Sequence, residues 1–255
     1  MTRARALLFN VAFWLWTAVL YLMVLPVYLL GPRSWLVPLS KLWLRPIHAL
    51  ARRVIGLDYE VRGRANLPES PCLIAAKHQS AWEIFALLVE LDQPAFVLKR
   101  ELMRIPLFGW YTRRYGAVPI DRSGGSAALR SMLRSARGFL DAGRAVVIFP
   151  EGTRLPPGAR GAYHPGVAAL YRDLGVPVVP LALNAGAFWG RRALDRRPGR
   201  IVLEFLAPIP PGLDRKTFMA TLADRLEPAS DRLLAEARDA GAPEGPARGA
   251  AGGRA

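Results

Sequence analysis

The amino-acid sequence predicts an α/β protein with a mostly parallel mixed sheet flanked by helices, preceded by an N-terminal membrane-embedded helical hairpin. Three observations predict this fold: a long uncharged stretch near the N-terminus, a middle region that alternates short apolar runs with helical patterns, and a hydrophobic content of 52% over 255 residues. That content excludes wholesale disorder, and the length suits one moderate domain with an appendage.

The N-terminal stretch from Ala6 to Leu30 contains 25 residues and no charge. As a helix it would be roughly 37 Å long, more than the ~30 Å of a hydrocarbon core. Arg3 and Arg5 precede it, but no cleavage site of small residues closes it, so a membrane-embedded segment is favoured over a signal peptide. Pro26 is expected to kink or end the helix.

Basic residues lie on both sides of this stretch. Because such residues favour the cytoplasmic side, both flanks are expected there, which is typical of a re-entrant or interfacial hairpin. Residues 35–51 combine aromatic and basic side chains suited to the headgroup zone and would form the second arm. We therefore predict a membrane anchor at 1–55, a domain at 56–239 on the cytoplasmic side, and a disordered tail at 240–255.

Apolar runs in the middle of the chain predict strands at Tyr59–Val61, Cys72–Ala76, Ala95–Leu98, Ala117–Ile120, Ala145–Phe149, Val176–Leu183 and Ile201–Leu206. Helical spacing predicts helices at Ala81–Leu91 and Ala127–Leu140, and a final helix that has Asp214 as its N-cap, breaks near Pro228 and ends at about Arg238. Strands separated by helices favour a sheet covered on both faces.

The chain has 35 Lys and Arg against 20 Asp and Glu, a formal charge of +15. This charge favours an anionic partner: a membrane surface, an acidic carrier protein or nucleic acid. Nucleic acid is disfavoured because no recognition motif accompanies the charge. No Gly-rich nucleotide loop and no Gly-x-Ser-x-Gly turn is present, which argues against NTPases, dinucleotide enzymes and ordinary serine hydrolases. The single cysteine, Cys72, and the three histidines lack metal-site spacing, so no metal is expected.

His78 follows a predicted strand and precedes a predicted helix, the position that ligand and catalytic groups favour in α/β sheets. Glu83, five residues later, would hold one ring nitrogen and leave the other to accept a proton. Glu83 also completes a Ser-x-x-Glu capping box with Ser80. On the residues alone, capping is favoured for Glu83, and His78 stays open between a catalytic and a structural role.

Three further segments stand out. They are Lys99-Arg100-Glu101-Leu102 with a later Asp121-Arg122, the string Phe149–Arg154 (Phe-Pro-Glu-Gly-Thr-Arg) after the most apolar strand, and the proline-containing strand Val176–Leu183. Taken singly, they are typical of solvated surface charges, a tight turn with an ion pair, and a core strand.

In this order and spacing, the four segments resemble the PlsC-type glycerolipid acyltransferase family, most closely its 1-acyl-glycerol-3-phosphate acyltransferases. The resemblance covers about residues 55 to 210. The family's first block is His-x4-Asp, and this chain has Glu83, one methylene longer, at the acid position.

The resemblance implies a role for each matching residue. His78 would be the general base on the acceptor hydroxyl, and Glu83 would orient it. The acceptor phosphate would be bound by Lys99, Arg122 and Arg154. Glu151, Gly152 and Thr153 would shape the site, with Glu151 bracing the arginine.

The resemblance also implies an activity: transfer of a fatty acyl group from acyl-CoA or an acyl carrier protein to the sn-2 hydroxyl of lysophosphatidic acid, giving phosphatidic acid. No cofactor is implied beyond the acyl donor, and the expected setting is a bacterial inner membrane with its lipids as partners. Two alternatives stay open. One is another acceptor, such as glycerol-3-phosphate, another lysophospholipid or an acylated amino-acid or sugar lipid; the other is a non-catalytic membrane-surface protein.

Overall fold

A computed structural model describes residues 3–121, 124–190 and 196–242. Its helices are α1 (Arg3–Leu30), α2 (Leu36–Leu50), α3 (Trp82–Glu90), α4 (Phe108–Tyr115), α5 (Gly125–Asp141), α6 (Pro165–Leu174), α7 (Ala185–Phe188) and α8 (Arg215–Asp239). Its strands are β1 (Leu57–Arg62), β2 (Leu73–Ala76), β3 (Ala95–Lys99), β4 (Ala117–Ile120), β5 (Val146–Ile148), β6 (Val178–Leu183) and β7 (Gly199–Phe205).

The strands form one seven-stranded sheet in the order β1-β7-β6-β2-β5-β3-β4. From β6 to β4 the neighbouring strands are all parallel. Strand β7 runs antiparallel to β6, and β1 runs parallel to β7. The predicted α/β fold with a mostly parallel mixed sheet is therefore confirmed.

Helices cover both faces of the sheet, and the side chains of β2 show how. Because successive side chains of a strand point to opposite faces, Ile74 and Ala76 join a core cluster with α3, while Leu73 and Ala75 join a second cluster with α5, α6 and α8. All four residues are fully buried. An uninterrupted apolar run is what a strand buried on both faces requires.

The parallel strands bring several predicted site residues to one edge of the sheet. His78 follows the end of β2, Lys99 is the last residue of β3, and Glu151 follows the end of β5. Since β5 lies between β2 and β3, these three positions are on neighbouring strands. This carboxyl edge is where α/β proteins place their ligands.

The N-terminal helix α1 is long and apolar enough to cross a membrane over Arg3–Val27, and only 22% of that stretch is buried inside the structure. It packs against α2 through two hydrogen bonds: Trp16 Nε1 donates to the Trp43 carbonyl oxygen and Trp43 Nε1 donates to Thr17 Oγ1, both at 3.0 Å. The membrane-embedded hairpin stays a prediction. Pro26 does not end α1, which continues to Leu30.

The two N-terminal helices also pack on the sheet domain. Phe9 of α1 is fully buried, with its ring 5.4 Å from that of Trp189. Leu44 and Ile47 of α2 belong to the same core cluster as the sheet residues. The proposed anchor at residues 1–55 therefore shares a hydrophobic core with the proposed domain at 56–239.

The predicted break near Pro228 is wrong, because α8 runs without interruption from Arg215 to Asp239. A proline inside a helix costs about 3 kcal/mol, and burial of Leu226 and Leu233 on either side of it offsets that cost. The predicted N-cap is confirmed: Asp214 Oδ1 accepts hydrogen bonds from the N–H groups of Lys216 and Thr217. Of the predicted tail, residues 243–255 lie outside the described residues, and Ala242 is buried.

Candidate active site

His78 lies in the turn between β2 and α3, and its Nδ1 is 2.8 Å from Glu83 Oε1. The His78 side chain is 16% exposed and that of Glu83 is fully buried. Because an ionised carboxylate only accepts hydrogen bonds, Nδ1 carries the proton and Nε2 is left to accept one. The ring of Phe149 stacks on the imidazole at 4.0 Å between centroids and so limits its rotation.

Glu83 uses one oxygen for two tasks. Its Oε1 accepts from His78 Nδ1 and also from the backbone N–H groups of Gln79 (2.9 Å) and Ser80 (2.8 Å). Ser80 Oγ in turn accepts from the Trp82 N–H at 3.1 Å, so the side chains of Ser80 and Glu83 both satisfy backbone N–H groups at the start of α3. Oε2 is buried and has no partner among the described residues. Capping the helix and orienting the histidine therefore depend on the same atom.

For the acyl transfer that the family resemblance implies, Glu83→Gln should lower the rate by roughly two to four orders of magnitude, because a neutral amide no longer stabilises an imidazolium formed on turnover. Glu83→Asp is the matched control: it keeps the charge on a shorter side chain, and its loss should be smaller. Initial rates across pH, with unfolding temperatures of both variants, measure the effect. A Glu83→Gln protein that is less stable but turns over at the wild-type rate would reduce Glu83 to a helix cap.

A buried ion cluster lies directly behind the histidine. Lys77 Nζ donates to Glu151 Oε1 and, at 3.0 Å, to Glu227 Oε1. Tyr163 donates its hydroxyl proton to Glu227 Oε1 at 2.5 Å. Glu151 Oε2 accepts the backbone N–H of His78 at 3.3 Å. Burial raises the pKa of Glu151, and the Lys77 hydrogen bond opposes that rise.

This cluster corrects one expectation and adds three residues that sequence reasoning missed. Glu151 pairs with Lys77 and the His78 N–H, and not with an arginine as the resemblance implied. A lysine immediately after a buried strand was the available signal for Lys77. Nothing comparable pointed to Tyr163 or to Glu227, which is 150 positions from Lys77.

The loop after β5 is fastened to the histidine turn. Gly152 has φ +64°, a conformation that favours glycine, and its N–H closes a turn onto the Phe149 carbonyl oxygen at 2.9 Å. The Leu155 N–H donates to the His78 carbonyl oxygen at 2.8 Å. Arg154, half-buried, and Thr153, exposed, are carried by this fastened loop.

The predicted phosphate-binding residues are placed in part. Lys99 is exposed at the end of β3 and Arg154 lies on the loop after β5, so both are at the carboxyl edge on adjacent strands. Arg122 lies outside the described residues. Their role in binding phosphate stays a prediction.

Other candidate nucleophiles and ligands are accounted for by packing. Cys72 is buried, and burial raises the pKa of its thiol to about 11, which suits a core residue. His48 of α2 stacks on Trp82 with ring centroids 5.6 Å apart. Within the described ranges, no group of three or more His, Cys, Asp or Glu residues could hold a metal ion.

Together, the fold and the site define a class: α/β proteins with a histidine–acid pair at the carboxyl edge of a mostly parallel sheet and a Gly-containing loop fastened beside it. The comparisons with known proteins agree. A family model described as Acyltransferase matches residues 58–184. The chain is 43% identical over 159 residues, 62% of each chain, to a 1-acyl-sn-glycerol-3-phosphate acyltransferase of Pseudomonas aeruginosa.

A second relative is the lyso-ornithine lipid O-acyltransferase of Pseudomonas aeruginosa, 32% identical over 184 residues that cover 65% of this chain and 70% of the relative. The crystal structure of the lysophosphatidic acid acyltransferase PlsC from Thermotoga maritima matches with a TM-score of 0.71 over 92% of this chain and 98% of that one, at 24% identity. The chain belongs to the acyltransferase family, as its four sequence blocks indicated. It matches less than two thirds of the length of the first Pseudomonas relative and 36% of a Brassica napus relative.

Proposed function

We propose that this protein transfers a fatty acyl group from acyl-CoA or an acyl carrier protein to the sn-2 hydroxyl of lysophosphatidic acid, making phosphatidic acid. The observation that carries the proposal is the 2.8 Å contact between His78 Nδ1 and the fully buried Glu83. Such a pair gives a neutral imidazole one free nitrogen and a carboxylate that stabilises the protonated ring.

In the proposed reaction, His78 Nε2 takes the proton of the acceptor hydroxyl as its oxygen attacks the thioester carbonyl carbon. The new C–O bond forms, the C–S bond breaks, and the leaving thiolate takes the proton from the imidazolium. General-base catalysis of this kind contributes roughly 10²- to 10⁴-fold in rate. The products are the diacyl lipid and a free thiol, and no acyl-enzyme is needed.

The tetrahedral intermediate needs a donor for its oxyanion, and a backbone N–H in the 78–83 turn is the natural first candidate. Four of these groups are already engaged. The His78 N–H donates to Glu151, those of Gln79 and Ser80 donate to Glu83, and that of Trp82 donates to Ser80 Oγ. This argues for a donor outside these four groups.

A phosphate on the acceptor fits the basic side chains of Lys99 and Arg154 at the carboxyl edge. Lys99, Arg122 and Arg154 would bind it, Arg by paired hydrogen bonds and Lys as a point charge. A lyso-ornithine lipid is the second candidate acceptor, because one relative is named for that activity. Lysophosphatidic acid carries a phosphate and a lyso-ornithine lipid does not. Whether acceptor binding depends on these three cations therefore distinguishes the two candidate acceptors.

The proposed setting is a membrane, with α1 and α2 as the anchor and the sheet domain on the cytoplasmic face of a bacterial inner membrane. The apolar length of α1 supports an anchor. A single-chain lysolipid and its diacyl product both partition into a bilayer, which places the substrate where the anchor would hold the enzyme.

The test is acyl transfer by the purified protein, with labelled acyl-CoA or acyl carrier protein and a panel of lysophosphatidic acid, glycerol-3-phosphate and lyso-ornithine lipid. We expect labelled phosphatidic acid to be the main product. Arg154→Gln should raise the KM for lysophosphatidic acid roughly 10- to 100-fold, which is what losing a hydrogen bond to a charged group costs.

Arg160→Gln is the matched control, because Arg160 is exposed on the same loop and its Nη2 is 2.6 Å from Asp231 Oδ2. It should leave the KM unchanged. A preference for lyso-ornithine lipid would replace the proposed acceptor, and no transfer to any acceptor would contradict the proposed activity.

A further inference from the structure

The chain from the last residue of β3 to the first residue of α4 presents apolar side chains to solvent. It consists of the short helix Arg100–Arg104 and a tight turn, and its exposed apolar residues are Leu102 (39%), Ile105 (48%), Leu107 (56%) and Phe108 (44%). We name residues 99–108 the edge patch. Contiguous exposed apolar patches on soluble proteins mark sites that bind another protein, a ligand or a membrane.

The most exposed of these residues is held in a strained conformation. Leu107 has φ +64°, a region that bulky residues adopt only when the surrounding structure requires it, at a cost of roughly 1–3 kcal/mol. Hydrogen bonds on either side hold the turn: the Gly109 N–H donates to the Ile105 carbonyl oxygen and the Tyr111 N–H to that of Leu107, both at 2.8 Å. Keeping the Leu107 side chain in solvent therefore costs the fold conformational free energy.

The edge patch is tied to the proposed anchor. Tyr111, in the helix that follows it, forms a 2.7 Å hydrogen bond with Ser40 of α2. Arg114 of the same helix donates to the carbonyl oxygen of Gly31, in the connection between α1 and α2. The helix that follows the patch thus contacts α2 and the connection after the candidate membrane helix, and the patch itself follows β3 at the same sheet edge as His78.

The charges around the patch favour an anionic surface. Lys99, Arg100, Arg104 and Arg113 are exposed, against one exposed acid, Glu101. Asp121 lies 3.8 Å from Arg100 and offsets part of that charge. Exposed apolar side chains surrounded by Lys and Arg are the composition of segments that insert shallowly into anionic lipid.

We propose that the edge patch is a second bilayer contact, separate from the anchor helix, that inserts Leu102, Ile105, Leu107 and Phe108 into an anionic phospholipid surface and holds the His78 edge against it. The occupant is a bilayer because the helix that follows the patch is hydrogen-bonded to the connection after α1, and the exposed face of α1 is apolar at Leu22, Met23 and Leu30. The inference rests on the proposed membrane setting and not on which acceptor is used.

A position-specific measurement tests the contact. A nitroxide label is attached to the full chain at Leu107→Cys, in a Cys72→Ser background, in vesicles of phosphatidylethanolamine and phosphatidylglycerol. We expect the label to collide more with oxygen, which concentrates in lipid, than with a water-soluble nickel chelate. The control is Lys216→Cys, an exposed position in the first turn of α8. The segment before α8 pairs with the start of β6, so Lys216 lies at the opposite edge of the sheet. A label there should collide more with the nickel chelate than with oxygen. Equal ratios at both positions would overturn the proposal.

A second variant gives a functional reading in the same proteoliposomes. Leu107→Asp should lower acyl transfer to a long-chain lysophosphatidic acid in the bilayer roughly tenfold, as expected when burial of one leucine side chain in lipid is lost. It should leave transfer to a short-chain, water-dissolved analogue unchanged, whereas Leu107→Met should preserve both. Retained transfer of the short-chain analogue shows that the proposed activity is intact.

Three other outcomes of these transfer assays would contradict the bilayer contact. Equal rates for Leu107→Asp and wild type on the long-chain acceptor would overturn it. So would a loss confined to acyl carrier protein as donor, with acyl-CoA unaffected, because the patch would then bind the carrier. Equal loss on both acceptors would assign Leu107 to the catalytic site.

Discussion

His78→Ala should lower the rate of acyl transfer by roughly two to four orders of magnitude, since the substitution removes the imidazole that is proposed to take the acceptor proton. The loss should appear in kcat and in kcat/KM alike, because proton removal occurs in the transition state and contributes nothing to ground-state binding. Initial rates with the purified protein, acyl-CoA and lysophosphatidic acid measure it.

The control for this substitution is His164→Ala. His164 is exposed at the start of α6, and its hydrogen bonds are made by its backbone: its N–H donates to the Pro150 carbonyl oxygen at 2.8 Å and its carbonyl oxygen accepts the Val167 N–H at 3.3 Å. Replacement of its side chain should therefore leave the rate unchanged. Because the Phe149 ring stacks on His78, unfolding temperatures of both variants are needed. A folded His78→Ala protein with wild-type kcat would refute the general-base role.

Lys77→Met should destabilise the protein by roughly 3–5 kcal/mol, because it leaves the buried carboxylates of Glu151 and Glu227 without their cation. Denaturant unfolding in detergent measures the loss. Lys216→Met, at an exposed lysine, should change stability by less than about 0.5 kcal/mol. The double variant Lys77→Met with Glu227→Gln should recover part of the loss, since one uncompensated charge is removed along with the cation.

The stability of the single variant Lys77→Met should also depend on pH differently from that of the wild type. Burial already raises the pKa of Glu151, and loss of the lysine removes the interaction that opposes this rise. A carboxyl whose folded pKa is raised stabilises the fold below its unfolded pKa and loses that contribution as pH rises. Lys77→Met should therefore become less stable relative to wild type from about pH 4.5 upwards; a pH-independent difference would show that the cluster does not carry a buried charge.

Sequence reasoning went furthest where the signal was local. The predicted strands lie within about two residues of the observed ones. The clearest were the fully buried β2, β5 and β6, because a strand buried on both faces must be continuously apolar. The contact between His78 and Glu83 followed from a five-residue spacing across a helix start, where a capping box limits the geometry. The N-cap at Asp214 was predictable for the same reason.

Sequence reasoning failed where distant parts of the chain meet. Lys77 and Glu227 are paired by the docking of α8 on the sheet, which no pattern near either residue indicates.

Helix α6 was missed although Pro165 at its first position and Gly175 after its end, with φ +65°, are common helix signals. The break at Pro228 was predicted from local cost alone, and tertiary burial outweighed it.

The burial of Phe9 has a consequence for how the enzyme would search for its substrate. The Phe9 ring packs on Trp189, whose ring is 6.5 Å from that of Phe85 in α3, the helix that follows the His78 turn. In the proposed membrane setting, His78 and Glu83 are thus connected to the lipid-embedded helix α1 through packed core side chains and not through a flexible linker. The proposed catalytic centre would then keep a constant height and tilt over the bilayer, and the proposed lysolipid substrate would reach it by lateral diffusion in two dimensions at a fixed depth.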